Sequence, residues 1–274
     1  MKCVKSDVGQ LIPQLHQSWT RQLAWSLFSP DLFAYYPSPF RPDAWSIEWL
    51  QNLDQSGSDE PDFPRRLGFR FEQLLEHYLI DHPEWQLLGR NIQIQDTNRT
   101  VGELDFIVMH LTDGQVWHIE TAVKFYLQTS WGWYGPDIRD TLMQKYLRLK
   151  NHQLRLHEHP AARTQLDHYG ISQNLASAMH VKGWLFGHEG QCHLPDYINP
   201  AIQTANWELA AKWPYSGSYL DKSHWLDPIA METDYPVEDG KEYPIMIIRN
   251  GQRQFLVPEI WLQSIDEQNN GQTV

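Results

Sequence analysis

Two short segments carry acids and a lysine at spacings that could do chemistry. Glu103 and Asp105 stand two apart in Gly102-Glu103-Leu104-Asp105-Phe106-Ile107-Val108-Met109, and Glu120 and Lys124 stand four apart in the run from Gln115 to Leu127. Side chains alternate along a strand, so Glu103, Asp105 and Ile107 are expected on one face and Leu104, Phe106 and Val108 on the other. The same rule groups His118, Glu120, Ala122 and Lys124 opposite Trp117, Ile119, Thr121, Val123 and Phe125. Carboxylates on a half-buried face are costly unless a cation or hydrogen-bond donors compensate them. Mg²⁺ and Mn²⁺ take oxygen ligands, and phosphodiester cleavage needs a metal to activate water and neutralise charge on the phosphate. Asp105 and Glu120 are thus candidate metal ligands, with a backbone carbonyl near Thr121 as a third oxygen. Lys124 could orient the attacking water or stabilise the transition state. The plain alternative is that these acids pair with Lys124 and Arg99 as ordinary sheet charges.

The elements that must position these residues read as helix, strand, strand, strand, helix. Leu67, Phe71, Leu74, Leu75, Tyr78 and Leu79 mark a helical face that ends at Asp81-His82-Pro83 and carries Glu72 beside Phe71. Strand character follows over Trp85 to Gln95, Gly102 to Met109 and Gln115 to Leu127, the last two joined at Thr112-Asp113-Gly114 as a hairpin. After the aromatic loop Trp131 to Pro136, a helix is expected from Asp137 to His157, with Gln144, Lys145 and Arg148 either supporting the site or facing solvent. Upstream, Leu11, Leu15, Trp19, Leu23 and Leu27 recur at intervals of four and predict a helix from Val8 to Phe33, broken at Ser29-Pro30-Asp31. A second helix is expected from Pro42 to Leu53, before a Ser, Gly and Pro loop. Downstream the reading gives a helix from Gln165 to Ala178 and a strand from Val181 to Phe186. An aromatic stretch with Trp207, Trp213, Tyr215 and Trp225 follows, then a hairpin of Ile245 to Ile248 and Gln254 to Val257 about Asn250-Gly251.

Composition narrows the classes. With 41% hydrophobic and 20% charged residues in 274, the chain has material for one compact unit and no sign of disorder. Two cysteines, Cys3 and Cys192, can build neither a disulfide framework nor a cysteine zinc site, so a reducing cytoplasm is the expected home. No signal-peptide pattern and no long apolar run appears, which predicts a protein neither exported nor embedded in a membrane. The net charge of −12 opposes non-specific attraction to nucleic acid. A phosphate-binding glycine loop, a dinucleotide fingerprint and a Gly-x-Ser-x-Gly elbow are all missing. His152, His157, His159 and His168 lack the convergence of two strands that a metal cluster would need. In the Trp131 to Tyr134 group, packing is weighed above stacking on nucleobases.

Glu72 on a helix, the Gly102-Glu103-Leu104-Asp105 strand, the Glu120 to Lys124 strand and the helix after it resemble the α-β-β-β-α core of the PD-(D/E)XK nuclease superfamily. Arg21 to Pro30, Gly68 to Leu75 and His118 to Leu127 resemble more closely the bacterial family catalogued as domain of unknown function 1853 (DUF1853). The resemblance implies an α/β, restriction-endonuclease-like fold with a mixed central sheet, an N-terminal helical cap over 1–55, a core over 65–157 and a C-terminal α+β extension over 158–274, all in one domain. It implies Asp105 as the motif aspartate, Glu120 as the acid of the third strand, Lys124 as its lysine, and Glu72 as a helix glutamate at the metal. The superfamily pattern has one residue between acid and lysine. Here three intervene, with Ala122 at the position usually acidic, which separates the side chains by roughly 6.6 Å more along the strand. The expected function is a Mg²⁺- or Mn²⁺-dependent endonuclease acting on DNA or RNA. The alternative is a non-catalytic relative that serves as an interaction or nucleic-acid-sensing module.

Overall fold

A computed structural model describes residues 8–97, 99–210, 218–229 and 241–271. The first expected helix is interrupted. α1 (Val8–Leu11) runs into a 3-10 turn at Ile12–Gln14, and α2 spans Ser18–Phe28. Pro13 cannot donate a backbone hydrogen bond, and Leu15 is extended. The start of α2 is then capped by another helix, α3 (Ala44–Gln55). Asp54 accepts the backbone N–H groups of His16 and Gln17 and the hydroxyl of Thr20 at 2.6 to 3.0 Å. Burial pushes the Asp54 carboxyl up, but these donors outweigh it and hold it at about 2.

α4 (Leu67–Asp81) is followed by β1 (Trp85–Asp96), β2 (Arg99–His110), β3 (Val116–Thr129) and the short β4 (Gly132–Tyr134). The expected helix from Asp137 to His157 is shorter. α5 covers Leu142–Asn151, capped by the Thr141 hydroxyl, and a 3-10 helix at Gln153–Glu158 continues it. In place of the helix expected from Gln165 to Ala178, α6 (Pro160–His168) stops before Gly170 at a φ of 73°, and β5 begins at Leu175 and runs to His188. β5 lies at the centre of the sheet with both faces covered, so its Ala-Ser-Ala-Met start carries no alternation to distinguish strand from helix. β6 (Gln203–Leu209) and α7 (Glu259–Asn270) add to the expected elements, whereas β8 (Ile245–Arg249) and β9 (Gln252–Val257) form the expected hairpin, extended by β7 (Ser218–Tyr219). Trp213 and Tyr215 lie outside the described residues.

The protein is a mixed α/β structure built on one large sheet in the order β1-β2-β3-β5-β6-β9-β8-β7, with β4 on β3. The two ends are antiparallel, while β3, β5, β6 and β9 run parallel. One face packs its apolar side chains, among them Phe106, Ile119, Phe125 and Phe255, with Leu23, Leu27, Phe71, Leu75 and Trp261 of α2, α4 and α7. On the other face, Tyr126 and Val181 meet Leu142, Tyr146 and Leu149 of α5, and Leu104 and Val116 meet Leu156, Ala162 and Leu166. β3 and β5 approach so closely that a Cβ on Gly183 would stand 2.0 Å from the Lys124 carbonyl oxygen. Among the described residues no helix is long and apolar enough to cross a membrane.

Candidate active site

The site forms where two strands part. β2 pairs with β3 only over Phe106 to Met109 against Val116 to Ile119; β2 then continues beside β1 alone, and β3 beside β5. Asp105 and Glu120 are the first residues past the last pair on their respective strands. The Thr121 N–H has lost its partner strand there and donates instead to Asp105 Oδ2 at 2.8 Å, with the Thr121 hydroxyl at 3.2 Å from the same oxygen.

Strict alternation fails at this fork. Leu104 and Ile107 join one apolar cluster and Phe106 and Val108 the other, so Leu104 and Phe106, two residues apart, lie on opposite faces where a regular strand would put them on one. The slip lies beside Asn91, whose φ of 51° sits between the pairs Arg90–Phe106 and Ile92–Leu104. Asn is among the few residues that tolerate this backbone region. On β3 the alternation holds. His118, Glu120, Ala122 and Lys124 point toward α5 and the 3-10 helix, and Ile119, Val123 and Phe125 toward the opposite core.

Glu120 is fully buried. Its Oε1 lies 2.9 Å from His118 Nε2, and its Oε2 accepts from Gln153 Nε2 at 2.6 Å. His118 Nδ1 in turn lies 3.3 Å from His157 Nδ1. Burial lowers both imidazoles to about 4, so the pair is neutral at physiological pH. Burial raises Glu120 to about 8, with the charges of Glu103 and Glu72 adding to it and those of Lys145 and Arg148 opposing. Asp105 is raised to about 7 by burial and by the Glu120 charge, against the Thr121 N–H and Lys145. Two carboxyls are thus pushed toward neutrality at one fork, where the surrounding positive charge offsets their burial only in part.

Lys145 of α5 is the ammonium that faces both acids. Burial and the Lys124 charge lower its pKa, Glu120 and Asp105 pull it back up, and its Nζ donates to Gln153 Oε1 at 3.3 Å. Lys124 keeps the face expected for it, but its Nζ donates to Asp140 Oδ2 at 2.6 Å, and the Tyr126 hydroxyl holds Asp140 Oδ1 at 3.0 Å. Asp140 stands in the loop that leads into α5, so this clamp fixes the start of the helix carrying Lys145. Glu72 lies 3.4 Å from Arg90, which also bonds Glu76; burial raises the Glu72 carboxyl while Arg90 restrains it, and its charge is felt at Asp105 and Glu120.

Part of the donor set suits a hard divalent cation. Asp105 Oδ1 accepts no hydrogen bond from the described residues and Glu120 stands across the fork, with the charge of Lys145 offsetting the two acids only in part, while both Glu120 oxygens are already engaged. The set is two carboxylates: among the described residues no group of three or more His, Cys, Asp or Glu side chains gathers as a metal cluster. Of the two placements open to Lys145 in the sequence, solvent or site, it takes the one beside the acids. His118 and Gln153 are site residues that the sequence does not single out. His118 is legible as a polar residue in phase with Glu120, whereas Gln153 depends on the 3-10 turn that ends α5. Of the four histidines considered together, His157 meets His118 and the His159 side chain caps α6. Trp133 and Tyr134 are buried in packing, and Trp131 is half exposed.

A family model described as domain of unknown function (DUF1853) matches residues 21–273. No curated protein and no solved structure matches the chain.

Proposed function

The chain belongs to the DUF1853 family, and from the geometry of its site we propose that it is a divalent-metal-dependent phosphodiesterase of the PD-(D/E)XK type, acting on DNA or RNA in the cytoplasm. The observation that carries this reading is that Asp105 and Glu120 flank the fork of β2 and β3 while Lys145 is tied to Glu120 through Gln153. Asp105 and Glu120 would hold Mg²⁺ or Mn²⁺, with Glu72 adding negative charge behind them. The metal, when bound, supplies an activated water and neutralises charge on the phosphate. Thr121 fixes one oxygen of Asp105 and leaves the other without a hydrogen bond from the described residues. His118 and Gln153 hold both oxygens of Glu120 and so set its direction. Lys145 presents an ammonium to the same space, where it can stabilise a phosphate that is gaining charge. Lys124 acts one step back by anchoring Asp140 and hence α5, or reaches the phosphate itself if a substrate draws it from that clamp.

The test pairs metal binding with cleavage. Calorimetry with Mn²⁺, and digestion of plasmid and single-stranded substrates, should both give a signal for the wild type and lose it in Glu120→Gln. Lys145→Ala should abolish cleavage while metal binding persists. Lys124→Ala should reduce cleavage less if its part is to place α5. A specific observation favours the second reading, a non-catalytic interaction or nucleic-acid-sensing module: Glu120 is fully buried, and hydrogen bonds already engage both its oxygens. A folded wild type that binds no metal would decide for that module.

A further inference from the structure

A concavity lies about 26 Å along β3 from Glu120, taking eight residues at strand rise. It holds about 370 Å³ and sits beyond the carboxyl ends of β3 and β5, covered on one side by α7. Crevices outside the carboxyl ends of parallel strands are where open α/β sheets bind ligands. Two indoles and an imidazole form its walls. Trp207 stacks on His188 with ring centroids 3.8 Å apart and planes 12° apart, and its Nε1 donates to the Gln128 carbonyl at 2.8 Å. Trp131, 47% exposed, is held by a 2.7 Å hydrogen bond from its Nε1 to Asp266 Oδ1. The large exposed ring is therefore fixed in place although solvent reaches it.

The charge of the lining points one way. Asp266 and Glu189 contribute carboxylates, and no lysine or arginine among the described residues lines the cavity. Oriented aromatic faces beside carboxylates attract organic cations and repel phosphate. We propose that this concavity binds a guanidinium or alkylammonium group, with its charge between Asp266 and Glu189 and its flat or methylene surface on Trp131. The occupant is defined by that chemistry, whether it is a free small cation or the end of a peptide side chain. The site is independent of the acids at the fork.

Nα-acetylarginine amide and Nα-acetylcitrulline amide serve as probes, titrated calorimetrically into the full-length protein. They share a shape, and only the first is charged. The arginine derivative should bind saturably and at least about tenfold more tightly, which corresponds to about 1.4 kcal/mol. Asp266→Asn retains an acceptor for Trp131 Nε1 and should erase most of that preference. Trp131→Ala should weaken binding of the arginine derivative, and Glu189→Gln, at an exposed turn, provides a variant with little risk to folding and the same expected direction. Nα-acetylarginine amide binding as well as arginine amide would assign the site to side-chain cations of a peptide, whereas agmatine binding more tightly than both would assign it to a free diamine-like cation; either upholds the proposal. Equal affinity for the uncharged Nα-acetylcitrulline amide, tighter binding of adenosine monophosphate, or no saturable binding of any cation would overturn it.

Discussion

Replacing Asp105 with Asn should make the metal-free protein more stable, and by an amount that depends on pH. Asp105 and Glu120 hold their protons up to about 7 and about 8 in the folded protein, against ordinary values near 3.8 and 4.5. The folded state therefore binds more protons at these two groups than the unfolded chain does between those limits, so their contribution to stability is greatest below about pH 4 and declines as pH rises through the folded values. For Asp105 alone, the rise from its ordinary value to about 7 costs the ionised folded state about 4 kcal/mol in total, at about 1.36 kcal/mol for each pH step, and about 3 kcal/mol of this accrues between about pH 5 and pH 8. Asn keeps an oxygen for the Thr121 N–H and hydroxyl and removes the charge. Urea unfolding of chelator-treated protein, followed by tryptophan fluorescence, should show a steep decline of wild-type stability over that range and a shallower one in Asp105→Asn. Mn²⁺ added at about a hundred times its dissociation constant should return about 2.7 kcal/mol to the wild type at about pH 8, less at about pH 5 where protons compete, and almost nothing to the variant. Parallel pH slopes in the two proteins would refute the electrostatic reasoning. Equal Mn²⁺ stabilisation of both would refute the assignment of Asp105 as a ligand.

Two further outcomes test the scaffold around the site. Asp54→Ala strips the start of α2 of its shared acceptor and should cost about 3 kcal/mol in urea unfolding at neutral pH, as expected when several donors lose a charged partner. Because Asp54 is held at about 2, its contribution is complete above about pH 4 and should fade as pH falls from there toward about 2. Lys182 of β5 is buried, with its Nζ donating to Asp31 Oδ1 at 2.8 Å and to the Ser29 carbonyl at 2.7 Å. Asp31→Ala leaves an unpaired buried cation and should cost about 3–5 kcal/mol, whereas adding Lys182→Met should recover much of that loss, as measured by the urea midpoints of the single and double variants.

How much of the fold and the site is legible in the sequence depends on whether the signal is periodic or arises from where the chain turns. The stripe of α4, the outer hairpin of β8 and β9, and the phase of His118, Glu120, Ala122 and Lys124 on β3 follow from spacing alone, since each element has one face against a core and a regular backbone. The start of β5 reads as helix because a strand buried on both faces has no alternation, and α1 and α2 read as one helix because the leucine stripe continues through Pro13 while the backbone does not. At the site, spacing places Asp105 and Glu120 on adjacent strands but does not reveal that Asn91 shifts the pleat opposite Asp105, nor that β2 and β3 separate at those two residues. That separation gives the site its chemistry. A continued ladder would have spent the Thr121 N–H on β2 and left Asp105 as one more sheet charge. The fork instead turns a pairing defect into two carboxyls held in fixed directions, and α5 brings in the compensating lysine from a distance in sequence that no strand period could report. The three-residue gap between Glu120 and Lys124 thereby acquires a physical reading. Lys124 is drawn to Asp140, its clamp sets the start of α5, and Lys145, one turn beyond the Thr141 cap, carries positive charge to the acids.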